Sequence, residues 1–206
     1  MVNRVKLGKS AKNRGNTLER DTAKQLADWS GETFSRTPTS GANHALKAFG
    51  ASADVMTTWD DWPYIIECKF YNDGWTLENV MKGNKHFPSW VAQSVREGQS
   101  EDAPFMLVFK RDYNHSFVMI PYTEELTNII SSYLVANILY VSEVTGGKET
   151  IKTMTFSMDD ILAEEPKKFV KAYNKDWQNM ISKVEEIKKP KNTINDTLKQ
   201  IAEMRL

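Results

Sequence analysis

Residues Tyr64 to Phe70 read Y-I-I-E-C-K-F. The run is apolar enough for a buried strand, yet it carries a glutamate and a lysine two positions apart. Buried strands usually exclude both residue types. Strand alternation puts Tyr64, Ile66, Cys68 and Phe70 on one face and Ile65, Glu67, Lys69 and Tyr71 on the other. Glu67 and Lys69 therefore point the same way, their Cα atoms roughly 6–7 Å apart. Just upstream, Asp54 to Trp59 reads D-V-M-T-T-W, a second strand, and Asp60-Asp61-Trp62-Pro63 is turn chemistry. Pairing Trp59 with Tyr64 places Asp54 opposite Lys69, on the face of Glu67. Any register of the same parity keeps Asp54 and Glu67 together, and a one-residue bulge would separate them.

Two carboxylates and one ammonium thus meet at one end of a hairpin. Such a pair suits a hard cation such as Mg²⁺, which takes oxygen ligands and keeps waters for a phosphate. The carbonyl of Cys68 offers a further oxygen. A lysine there can orient an attacking water or offset charge on a phosphate. Two neighbouring carboxylates favour its charged form, which argues against a simple general base. The competing reading is an ordinary cross-strand ion pair between Asp54 and Lys69, with Glu67 incidental.

The rest of the composition is that of a globular protein. The chain has 206 residues, 40% hydrophobic and 26% charged, enough for one domain with appendages or two small ones. No run approaches the roughly 20 apolar residues of a membrane span, and the first residues lack the apolar centre of a signal peptide. The single cysteine cannot form an internal disulfide, which points to a reducing cytosol. The 27 basic and 27 acidic residues cancel, but Arg4, Lys6, Lys9, Lys12 and Arg14 precede the first acid. This arm can meet phosphates, or simply be a solvated tail.

Asn16 reads as an N-cap, and Leu18, Thr22, Leu26 and Trp29 follow at helical spacing to Gly31, which predicts a helix from Thr17 to Ser30. Thr33 to Thr37 reads as a strand, residues 72–88 as a polar loop, and Ser89 to Glu97 as a helix. Phe105 to Phe109 suits a central strand covered on both faces, and Ser116 to Tyr122 returns beside it. Beyond this, Thr123 to Asn137 reads as helix. Leu139 to Val144 and Thr150 to Phe156 form a hairpin around Gly146-Gly147. Phe169, Tyr173, Trp177, Met180, Val184 and Ile187 form a helical seam, and a last amphipathic helix follows Pro190. The expected fold is α/β, a mixed central sheet flanked by helices, with an α-helical C-terminal extension. The expected division is a basic arm (1–15), a catalytic core (16–122) and the extension (123–206).

Asp54 followed by Glu67-Cys68-Lys69 on the next strand resembles the PD-(D/E)XK nuclease superfamily, with Ala53 where the name has proline. The segment N-R-G-N-T-L-E-R, Asn13 to Arg20, is similar to the opening of archaeal-type and RecU-type Holliday junction resolvases. There a helix brings a catalytic glutamate, here Glu19, followed in the archaeal type by a basic residue, here Arg20. R-T-P-T-S-G, Arg36 to Gly41, resembles the arginine and serine-glycine pair of those enzymes. Gln93 sits where the superfamily often carries a glutamine. Local readings compete: Glu19 as a capping-box acid, Arg36 as a solvated strand residue, Ser40-Gly41 as a plain turn, and Gln93 facing water. His44, His86 and His115 form no zinc pattern.

The resemblance, which covers about residues 13–120, implies a restriction-endonuclease-like core and a Mg²⁺-dependent DNA endonuclease, Mn²⁺ substituting. In that reading Asp54, Glu67 and the Cys68 carbonyl ligate the metal, with Glu19 joining directly or through water. Lys69 orients the water. Arg14, Arg20, Arg36, Ser40 and Gln93 contact DNA. Symmetric cleavage of a four-way junction calls for a homodimer, which the seam from Phe169 to Ile187 could serve, although such stripes more often pack on their own domain. Trp75, Phe87 and Trp90 could stack on bases or pack the core. The expected location is the cytoplasm, a host's if the protein is viral, with no membrane partner. The alternatives are another nuclease of the superfamily, acting on flaps, ends or one sequence, and a non-catalytic DNA-binding or assembly protein of this fold.

Overall fold

The computed structural model describes residues 4–38, 53–71, 74–111 and 115–184, with side chains from residue 13 onward. A long helix, α1 (Arg4–Ser30), leads into strands β1 (Phe34–Arg36), β2 (Val55–Thr57) and β3 (Ile65–Phe70). Helices α2 (Leu77–Met81) and α3 (Phe87–Glu101) carry the chain to β4 (Phe105–Lys110) and β5 (Phe117–Pro121). After the short α4 (Glu124–Thr127) come β6 (Leu134–Val141) and β7 (Lys148–Ser157), then α5 (Met158–Leu162) and α6 (Pro166–Lys171). A 3₁₀ turn (Trp177–Met180) and β8 (Ile181–Lys183) end the described part.

One mixed sheet holds these strands in the order β1-β2-β3-β4-β5-β7-β6, with β8 beside β7. β3 and β4 run parallel, because α2 and α3 cross over between them. β4 lies mid-sheet, and its first five residues are buried. Met106 and Val108 face a core shared with Leu18, Ala23 and Leu26 of α1. Phe105, Leu107 and Phe109 face a second core built on Phe87, Trp90, Val91 and Val95 of α3. A strand covered on both faces reads as a continuous apolar run, as this one does. Gly31, at φ +75°, ends α1 with its N–H donating to the Ala27 carbonyl at 2.9 Å.

The structure revises several expectations. α1 starts at Arg4, so the basic arm as far as Arg14 lies within a helix, and Asn16 sits in the helix interior and caps nothing. The loop at 72–88 contains α2, whose N-cap Thr76 pairs with Asn79. The helix expected over 123–137 ends after Thr127. Ile129, Ile130 and Leu134 mimic helical spacing, but Leu134–Val141 alternates buried and exposed and pairs along its whole length with β7. The hairpin around Gly146-Gly147 is present with longer strands than expected.

The seam from Phe169 to Ile187 is no single helix. Phe169 on α6 packs in the α1 core, whereas Trp177 packs in the α3 core. Asn174 turns the chain between them, its side-chain oxygen accepting from the Asp176 N–H at 2.9 Å. A stripe split between opposite faces of a sheet cannot form one dimer surface. Ile187 and the segment after Pro190 lie outside the described residues. The sheet itself continues past residue 122, since β7 pairs along all of β5.

Candidate active site

β2 and β3 pair through Val55 and Ile66. The ladder stops there: Asp54 sits in a bend just before β2, outside that register, and not opposite the expected partner Lys69. Its charge still reaches Glu67 and Lys69, so the three groups gather at this end of the hairpin. The Asp54 N–H donates to the Ile66 carbonyl at 2.9 Å, and its carboxylate accepts from the Cys68 N–H at 2.9 Å. The side chain thus completes the ladder where the strands part, which holds one carboxylate oxygen in the plane of the sheet.

Glu67 lies in the middle of the sheet, 2% exposed, beneath α3. One of its oxygens, Oε2, accepts from Lys69 Nζ at 2.8 Å and from Gln93 Nε2 at 3.0 Å. The ion pair of Lys69 is therefore made along its own strand, with Glu67, and the cross-strand bridge to Asp54 does not form. Gln93 does not face water. Its amide nitrogen also donates to Glu97 Oε1 at 3.0 Å, so both amide hydrogens are used and the flip of the side chain is set. Glu97, 6% exposed, also accepts from Arg96 at 2.7 Å, and Arg96 reaches on to Glu143 in the β6–β7 turn.

Glu97 was not singled out from the sequence. A signal existed: it follows Gln93 by four, which places both on one helical face. Its side chain also hydrogen-bonds with Glu67 when that carboxyl holds its proton.

Glu19, buried on α1, is held by Arg36 of β1, whose second nitrogen donates to Asn16 at 3.0 Å. With α1 continuous through this point, Glu19 caps no helix end. It approaches from the α1 side of the sheet, and its charge reaches Asp54. Cys68 turns its sulfur to that side, 3.8 Å from Thr22. Arg14 lies over the Phe70 ring at 5.9 Å, and Arg20 is exposed on α1. Ser40 and His44 lie outside the described residues. His86 joins an aromatic cluster, and His115 pairs with Asp159 at 2.9 Å. Trp75, Phe87 and Trp90 are buried in the α3 core, which removes them as base-stacking candidates.

The electrostatics are those of crowded acids. Burial pushes the Asp54 carboxyl up to about 6, against the opposing Cys68 N–H and Lys69, with Glu19 and Glu97 adding repulsion. Burial, followed by Asp54 and Glu97, pushes Glu67 well above the usual carboxylate range. Burial works against the charge of Lys69, but Glu67, Asp54 and Glu97 outweigh it and raise its pKa, so the amine stays protonated. Glu19, Glu67 and Glu97 each have a cation in an ion pair; among the described residues Asp54 accepts from the Cys68 backbone N–H and feels Lys69 only through space. Among the described residues no three acidic, histidine or cysteine side chains already surround one point. The donor set fits a hard cation held by two carboxylates and otherwise by water or phosphate oxygens. The Asp54 carboxylate, which has no ion-pair partner among the described residues, and the raised carboxyl pKa values mark positive charge in deficit.

The model of one protein family, described as "Phage putative PDDEXK endonuclease", matches residues 10–172 of the chain. No curated protein and no solved structure matches it.

Proposed function

The chain belongs to this family of phage PDDEXK endonucleases, and on that premise we propose a Mg²⁺-dependent DNA endonuclease that resolves four-way junctions. The observation that carries the proposal is the gathering of Asp54, Glu67 and Lys69 at the β2–β3 end, braced by Gln93. Asp54 and Glu67 would hold the cation, with the Cys68 carbonyl as a further oxygen. When bound, it would polarise the phosphodiester and acidify a water.

The chain's own groups do the rest. Lys69, kept protonated by Glu67, orients the attacking water and offsets charge on the phosphate. Gln93 and Glu97 fix the Glu67 carboxylate so that it presents one geometry to the metal. Glu19 supports Asp54 from the α1 side, and Arg36 is positioned by Glu19 to meet a phosphate. Arg14, Arg20 and Ser40 are proposed as further backbone contacts, which makes binding fall steeply with salt.

Cutting both strands of a junction calls for two copies of the site, hence a homodimer. A phage enzyme would act in the host cytoplasm, and among the described residues no helix is long and apolar enough to cross a membrane. The resolvase-like segments at Asn13–Arg20 and Arg36–Gly41 favour junctions over flaps, ends or a single sequence. The intact carboxylate and lysine set speaks against a non-catalytic binder.

A synthetic four-way junction, incubated with and without Mg²⁺ beside flap and linear duplexes of matched sequence, tests this. Paired symmetric nicks on the junction alone, dependent on metal, are expected. Asp54→Asn and Glu67→Gln should each lower the rate by more than about a hundredfold while junction binding persists. Preferential cutting of the linear duplex would overturn junction resolution, and full activity in either variant would remove the site.

A further inference from the structure

We infer that Tyr71, braced by His86 and Trp90, is a stacking platform for an unstacked nucleobase beside the scissile phosphate, an inference that rests on the nuclease reading above. Tyr71 follows Lys69 by two residues, so strand alternation puts it on the face of Glu67 and Lys69, roughly 6–7 Å further along. That offset is comparable with the reach from a phosphate to its own base. The residue is 43% exposed, although its backbone is anchored, the N–H donating to the Lys110 carbonyl at 3.1 Å.

An exposed tyrosine often stands clear of other rings; this one touches two. Its ring centroid lies 4.8 Å from His86 and 5.2 Å from Trp90. His86 stacks on Trp90 at 5.4 Å with 15° between the planes, and Trp90 itself is 4% exposed and part of the α3 core. Three rings in mutual contact, one of them rooted in the core, hold the outermost ring in a fixed orientation. A fixed aromatic surface loses little freedom on binding. Every base has a π-face to offer it, so such a step tolerates any sequence. It suits a nuclease that selects by structure, because paired and stacked bases in a linear duplex cannot reach it.

The competing role, a cover that keeps water from Trp90, requires bulk but no π-system, and this separates the two. The full chain carrying Asp54→Asn, in Mg²⁺, is titrated with a four-way junction bearing 2-aminopurine at the crossover and with a 2-aminopurine single strand. Quenching is expected with Tyr71 and with Tyr71→Phe. Tyr71→Leu should keep the cover and its urea midpoint, lose the quenching, and weaken binding about five- to a hundredfold. Tyr71→Met, which keeps bulk without a π-system, gives the same comparison if leucine disturbs folding. The plot of log affinity against log salt should shift in parallel, since no phosphate contact is lost. Unchanged quenching and affinity in the leucine or methionine variant would overturn the platform alone. Failure of the unsubstituted Tyr71 protein to bind either DNA would overturn the nuclease reading and this inference with it.

Discussion

At Asp54 a carboxyl that ionises near 4 in an unfolded chain is pushed up to about 6, chiefly by burial. Between those values the folded protein holds a proton that the unfolded chain has released, so stability falls as pH rises through the window. In metal-free buffer, the stability of the wild type relative to Asp54→Asn should therefore decline from about pH 4 to about pH 6, read from urea midpoints. Saturating Mg²⁺ should reverse that order above pH 6, because only the wild-type carboxylate binds it well. A flat difference across the window would contradict the crowding of acids around Asp54. Glu97 acts one step away. Glu97→Ala frees the Gln93 amide to flip, and should reduce cleavage about ten- to a hundredfold while raising the Mg²⁺ concentration required. Glu97→Gln, whose oxygen can still accept from Gln93, should recover part of the loss. Glu67 and Lys69 were legible as neighbours because alternation along one strand needs no partner, whereas the bend at Asp54 breaks the cross-strand register that parity assumes. Glu97 was not legible, because helical spacing alone does not say which face of α3 meets Glu67.

α3 shows how closely an element can be seated. A Cβ on Gly98 would stand 2.6 Å from the Ala103 carbonyl oxygen and 3.1 Å from the Trp177 ring. The helix therefore meets the turn just past its own C-cap and the C-terminal 3₁₀ turn at a point where no side chain fits. Gly98→Ala should destabilise the protein by about 1–3 kcal/mol despite its better helix propensity, measurable by urea unfolding. Wild-type stability in that variant would mean that Trp177 packs elsewhere. Elements with a strong period and an internal partner, such as α1 after Asn16 and β4, could be read directly. The stretch from Phe169 to Met180 could not. Its apolar residues step by three and four, but α6 ends at Lys171, and the turn at Asn174 leaves Phe169 and Trp177 in opposite cores.

On the scale of the whole molecule, β5 has β4 on one side and β7 on the other, so the strands after residue 122 complete the sheet that carries the site. Arg96 ties the β6–β7 turn to Glu97. A fragment ending at Tyr122 would expose Val118 and Ile120, both fully buried in the intact chain, and would leave the β5 edge unpaired. It should lack a cooperative urea transition and bind no junction; a fragment that unfolds cooperatively would make 123–184 a true appendage. By itself the sequence determined the fold class, the strand that carries Glu67 and Lys69, and the end of the hairpin at which Asp54 lies, because alternation and turn chemistry act over a few residues and need no distant partner. Only the tertiary structure decided that Lys69 pairs with Glu67, that Gln93 and Glu97 brace that carboxylate, that Glu19 is held by Arg36, and that the C-terminal apolar residues divide between two cores. Those outcomes depend on which faces of separate elements meet, and a packing choice of that kind is made by the whole buried interior at once.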